Sequence, residues 1–92
     1  MQPEMTEHVN GTKYWYLNDK LHREDGPAVE WADGSMSWWL NGKLHREDGP
    51  AIEHANGDKF WYLNGKEVDQ LMFWITTKER LTQTQKNIIL TT

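Results

Sequence analysis

The chain has 92 residues, a formal net charge of -4 and no cysteine, so a single domain is expected and disulfides or thiolate-held metal are excluded. An acidic chain is a poor binder of duplex DNA, because phosphate neutralisation dominates that affinity, and no apolar run is long enough to span a membrane. Six tryptophans in so short a chain either build a core or form a recognition surface.

Residues 1–7 contain Pro3, Glu4 and Glu7 and no apolar stretch. They read as an N-terminal tail, not a secretory signal. The lack of cysteine fits a reducing compartment, and the cytoplasm is the expected location.

From His8 the chain repeats itself with an offset of 23 residues. Lys20-Leu21-His22-Arg23-Glu24-Asp25-Gly26-Pro27-Ala28 recurs letter for letter from Lys43 to Ala51. The same offset links Gly11, Gly34 and Gly57, then Trp15, Trp38 and Trp61, then Leu17, Leu40 and Leu63. Three units follow, at 8–30, 31–53 and a partial third at 54–66, where Glu67-Val68-Asp69 ends the motif.

Turn signals punctuate each unit. Asn41-Gly42 and Asn64-Gly65 are the preferred pair for a two-residue hairpin turn, and Asn18-Asp19 fills the same slot. Asn10-Gly11, Asp33-Gly34 and Asn56-Gly57 mark a second turn, and Asp25-Gly26-Pro27 with Asp48-Gly49-Pro50 a third. Between them lie short strand-like runs at Tyr14–Leu17, Leu21–Glu24, Ala28–Ala32, Ser37–Leu40, Leu44–Glu47, Ala51–Ala55 and Phe60–Leu63. Val68, Leu71, Met72 and Ile75 then follow helical spacing, which predicts a capping helix over Glu67–Thr82. Ile88-Ile89-Leu90 in the tail is a last strand, an interface segment or a packed tail. The expected fold is mainly β, an antiparallel meander of 23-residue β-hairpin repeats with a C-terminal α-helix cap in 67–92.

Alternation assigns the strand faces. Trp15 with Leu17, and their equivalents, point one way; being the same in all three units, this face is taken as the core. Tyr14, Tyr16, Trp39, Phe60 and Tyr62 point the other way and form the expected contact surface. So thin a sheet cannot bury both faces alone, which points to a homo-oligomer or a protein partner.

The unit resembles the MORN repeat in length and hairpin build. It is most similar to the divergent form with a W-Y-x-N-G-K-x-H-R-x-D-G-P-A core, which here runs from Trp15 to Ala28. The resemblance covers about residues 8 to 66. It implies an elongated, twisted sheet used as a binding scaffold, with no shared catalytic centre. Similar repeats occur in many small proteins of bacteriophages, bacteria and large DNA viruses, which implies a phage-type protein acting in the host cytoplasm. Asp19 departs from the turn glycine and Trp39 from the tyrosine, and the third unit lacks the His-Arg-x-Asp-Gly-Pro segment, which marks it as an end unit.

Two constellations carry the candidate binding chemistry. The first is His22 and Arg23 with His45 and Arg46, either an anion site or a set of ion pairs that hold the stack in register. Asp25 and Asp48 are read as turn caps before Gly-Pro. The second is the aromatic stripe, which would stack bases or anchor a protein. His8, His22, His45 and His54 have no regular ligand spacing, because Trp31 interrupts the position shared by His8 and His54. No nucleophile motif or phosphate loop is present, so neither catalysis nor a cofactor is expected. The leading expectation is a module that binds and inhibits or sequesters a host protein. The alternatives are a sponge for a nucleotide-like anion, held by arginine and aromatic side chains, and a structural assembly protein.

Overall fold

The computed structural model describes residues 2–77, which form a mainly β antiparallel meander with one short helix near the C-terminal end. β1 (Glu4–Glu7) lies at one edge and pairs with β2 (Lys13–Leu17), with Thr6 opposite Tyr14 and Glu7 opposite Lys13. β2 turns through Asn18-Asp19 into β3 (Lys20–Leu21). Both turn residues have positive φ, 53° and 64°, the backbone that matches the twist of the flanking strands.

The chain then leaves the ladder at Arg23, loops through Pro27 and rejoins it as β4 (Val29–Glu30) on the same edge of β2. Trp15 spans the gap. Its N–H donates to the Ala28 carbonyl at 2.8 Å, and its carbonyl accepts from the His22 N–H at 3.0 Å.

The second unit repeats this arrangement. β5 (Met36–Ser37) and β6 (Trp39–Leu40) flank Trp38, which bonds Ala51 and His45 at the same 2.8 and 3.0 Å. β7 (Lys43–Leu44) and β8 (Ile52–Glu53) lie on either side of the second loop. β9 (Lys59–Leu63) and β10 (Lys66–Val68) complete the sheet, and α1 (Gln70–Thr77) follows. The main sheet runs β1-β2-β4-β5-β8-β9-β10, with β3 beside β2 and β6-β7 as a separate short ladder.

Side chains bind each unit to the next at both ends of the strands. At one end the Asn41 N–H donates to His22 Nδ1 and the Asn64 N–H to His45 Nδ1, each at 2.9 Å. At the other, the Ala32 N–H donates to Thr12 Oγ1 at 3.3 Å and the Ala55 N–H to Ser35 Oγ at 2.9 Å. A polar side chain from one unit thus satisfies a turn amide of the next.

Several sequence expectations change. The segment read as a tail contains β1 from Glu4 to Glu7. The runs expected to reach Glu24 and Glu47 end as strands at Leu21 and Leu44, because the chain then turns to the next unit: the Arg23 N–H donates to the Trp39 carbonyl at 3.0 Å and the Arg46 N–H to the Tyr62 carbonyl at 3.3 Å. Glu67 does not begin the helix: it stays in β10 opposite Tyr62, and α1 starts at Gln70. Asp69 sets that start by accepting the Met72 N–H at 2.8 Å, a helix N-cap. Residues 78–82 of the expected helix, and the Ile88-Ile89-Leu90 tail, lie outside the described residues.

The core also differs from the expected Trp/Leu face. Among the described residues, the buried apolar ones are Ala28, Val29, Ala51 and Phe73, while Trp15, Trp38 and Trp61 are half-buried. The molecule is only 18 Å across its thinnest dimension, so each face must find its own cover. Val29 and Ser37 pair with each other and, through Val29, with Tyr14, which places part of the burial on the tyrosine face. The tryptophan face is roofed by the two loops and by α1.

Candidate functional site

The loops that roof the tryptophans are built around arginine. The Arg23 guanidinium lies 3.9 Å from the centre of the Trp15 ring, and that of Arg46 lies 3.8 Å from that of Trp38. Arg46 Nε donates to Asp48 at 2.8 Å, and its Nη1 donates to the Pro50 carbonyl at 3.0 Å and to Glu53 at 2.9 Å. Arg23 makes the same three contacts with Asp25, Pro27 and Glu30, at 3.0, 3.1 and 3.0 Å. Asp25 and Asp48 therefore receive an arginine; the turn-capping role expected of them is replaced by this bond.

Glycine completes the clamp. A Cβ on Gly26 would stand 3.0 Å from Arg23 Cζ, and one on Gly49 would stand 2.8 Å from Arg46 Cζ. A side chain at either position would press on the guanidinium where it lies between the loop backbone and the indole. In the third unit, which has no such loop, Phe73 of α1 sits against Trp61 with ring centres 6.5 Å apart. The helix thus fills the place that arginine holds in the other two units. Among the described residues, the Trp61 indole N–H is enclosed there with no hydrogen-bond acceptor.

The histidines belong to the same device. A backbone amide can only donate, so the Nδ1 atoms of His22 and His45 are unprotonated and each ring carries its proton on Nε2. His45 Nε2 faces Glu47 at 3.3 Å, and His22 Nε2 faces Glu24 at 3.8 Å.

Between the two loops runs a groove floored by Trp38 and Leu40, to which both arginines and His45 contribute. The structure does bring Arg23 and Arg46 to this one groove, but each is engaged by its own unit and its side chain is only 22% or 21% exposed. The accessible charge on the rim is that of Glu24, Asp25, Glu47 and Asp48, whose side chains are at least 75% exposed. An anion entering the groove would meet these carboxylates first. Among the described residues, no group of three or more His, Cys, Asp or Glu is arranged to hold a metal ion.

The opposite face carries the aromatic stripe. Cross-strand partners share a face, and the register aligns Thr6, Tyr14, Val29 and Ser37 with Ile52 and Phe60. Tyr14 stacks on Tyr16, with centres 6.2 Å apart and planes at 25°. His8 packs its edge on Tyr14, as His54 does on Phe60. Trp39 Nε1 donates to Ser37 Oγ at 2.7 Å, so its indole is fixed beside the strand. Tyr16 and Phe60 are 40% and 37% exposed, while Tyr14, Trp39 and Tyr62 are half-buried.

Trp31, 39% exposed, adds to this surface and was missed by the sequence reading. It occupies the repeat position of His8 and His54, but the partner position that holds Tyr14 and Phe60 in the other units holds Ser37 in its own. The signal was a ring in a slot whose stacking partner had been lost.

Among the described residues, the second turn class carries the one clear titration shift. The Ser35 backbone N–H donates to Asp33 Oδ1 at 2.9 Å. This bond, helped by the Ser35 hydroxyl, lowers the Asp33 pKa from its ordinary 3.8. Asn10 and Asn56 accept the equivalent backbone bonds from Thr12 and Asp58.

The class that fold and surface define is a mainly β repeat sheet, roofed on one face and aromatic on the other. No family model matches the chain, and no curated protein or solved structure proved similar to it. Among the described residues, no helix is long and apolar enough to cross a membrane.

Proposed function

We propose that the chain is a non-catalytic binding module that takes a protein partner on its aromatic sheet face. The observation that carries this reading is the division of labour between the faces. The arginines and histidines of the duplicated His-Arg-Glu-Asp motif are spent on holding the units together, whereas Tyr16, Trp31 and Phe60 remain more than a third exposed. Aromatic side chains with little rotamer freedom are the usual anchors of protein interfaces. The resemblance to repeats of small phage proteins supports the narrower form of this proposal, the inhibition or sequestration of a host protein.

The test is affinity capture with the wild type and a Tyr16→Ser/Phe60→Ser variant. Both residues are partly exposed, so the variant is expected to keep its melting curve and lose its specifically captured proteins. Retention of every one by the folded variant would refute the assignment. A nucleotide panel in a thermal-shift assay tests the anion-sponge reading, which requires ligand-dependent stabilisation; the acidic rim of the groove speaks against it.

A further inference from the structure

Among the described residues, the hydrogen-bond scheme that joins one unit to the next has an unused half at each end of the sheet. Thr6, Glu7 and Val9 stand at the repeat positions of Val29, Glu30 and Ala32, and of Ile52, Glu53 and Ala55. Inside the molecule, β4 pairs on both sides, with β2 and β5, but among the described residues β1 pairs only with β2. Lys59 and Phe60 stand at the positions of Lys13 and Tyr14. Lys13 and Tyr14 pair on both sides, whereas among the described residues Lys59 and Phe60 pair only with β8.

We propose that these two ends are complementary, and that a second copy of the chain docks Thr6 and Glu7 of its β1 against Lys59 and Phe60, the part of the β9 edge that β10 leaves unpaired among the described residues, continuing the repeat head to tail. Three features of the chain fit this joint. The first is charge: Lys13 lies between Glu7 and Glu30, but among the described residues Lys59 has only Glu53 as a cross-strand partner and Glu7 only Lys13. Docking places Glu7 of one copy opposite Lys59 of the other.

The second is the turn clamp. The Ala32 and Ala55 amides donate to Thr12 and Ser35, and Asp58 holds the repeat position of those two acceptors. Val9 holds the position of the donors and is fully exposed. In the joint, the Val9 amide of one copy reaches the Asp58 carboxylate of the other.

The third is backbone polarity. The His8 N–H donates to the Thr12 carbonyl at 2.8 Å. Bonded and non-bonded residues alternate in an antiparallel ladder, so the Glu7 N–H and C=O point away from β2, toward the incoming strand. An interface made from two different patches is head to tail, and one that repeats the spacing between the chain's own units adds copies along the sheet into open chains instead of closing a ring.

The inference is independent of the aromatic face and is tested on the full chain by sedimentation velocity over a wide concentration range. The wild type is expected to show a weight-average sedimentation coefficient that climbs with concentration without a plateau. Glu7→Pro removes the outward N–H but no β1–β2 bond, and is expected to abolish the climb while leaving the melting curve unchanged. Glu7→Lys and Lys59→Glu each oppose like charges across the joint and are expected to stay monomeric alone. Mixed together they present only Lys–Glu joints, so association is expected to return. A wild type that stays monomeric, or stops at a dimer, overturns the proposal, as does a mixture that fails to associate.

Discussion

Replacing Arg46 with Gln removes the centre of the second clamp, and its cost can be worked out from the contacts. The Arg46 side chain is only 21% exposed, with its guanidinium stacked on Trp38 and close to Gly49. Loss of its stacking on Trp38 costs about 1 kcal/mol at a partly buried site. Loss of the 2.9 Å bond to Glu53, itself 28% exposed, costs about 1.5–2 kcal/mol, and the Pro50 carbonyl left without a donor about 1 kcal/mol more. Asp48 is 85% exposed, so its pair adds at most about 0.5 kcal/mol. The expected loss is therefore about 4 kcal/mol, against a total of about 5–10 kcal/mol for a domain of this size. Urea denaturation followed by tryptophan fluorescence measures it. A double-mutant cycle with Glu53→Gln should show a coupling of about 1–2 kcal/mol. A loss below about 1 kcal/mol with no coupling would refute the clamp and leave the arginine charge available to a ligand.

Gly49→Ala forces the loop and the guanidinium apart, because the new Cβ would lie 2.8 Å from Arg46 Cζ; a loss of about 1–3 kcal/mol is expected by denaturation. Phe73→Ala empties the fully buried site beside Trp61 and should cost about 3–5 kcal/mol in the same assay. Asp33 has a lowered folded pKa, so its bonds to Ser35 stabilise the fold above the ordinary carboxylate value of 3.8 and are lost as pH falls through the lowered value. Asp33→Asn keeps the acceptor oxygen, and acid titration of its stability should lack that segment of the pH dependence.

The repeat, its 23-residue period and its turns were legible in the sequence, and the two-residue hairpin turns stood out because they demand residues that tolerate positive φ. Asn41, Asn64 and Asp19 all show it, at 52°, 53° and 64°. The mainly β meander followed from the same signals. The alternation also placed Tyr14, Tyr16, Phe60 and Tyr62 on one face, as the register requires. The start of the helix was misplaced because helical spacing from Val68 onward competes with β pairing, and only the partner strand at Trp61 to Leu63 holds Lys66–Val68 extended.

What the sequence by itself determined is local: turn chemistry, strand parity and the equivalence of units. The tertiary structure decided which partners those units meet. His22 is a neighbour of Glu24 in the chain, yet it acts on the amide of Asn41 in the next unit. Arg46 bridges Trp38 and Glu53, which lie eight residues before it and seven after. β1 could not be seen either, since Glu4-Met5-Thr6-Glu7 has little strand preference of its own and becomes a strand because the free edge of β2 offers it bonds. The physical reason is common to all three cases. Turn and parity preferences act between chain neighbours, whereas a hydrogen bond or a stacked ion depends on distance in space, and that distance exists only after the hairpins have stacked.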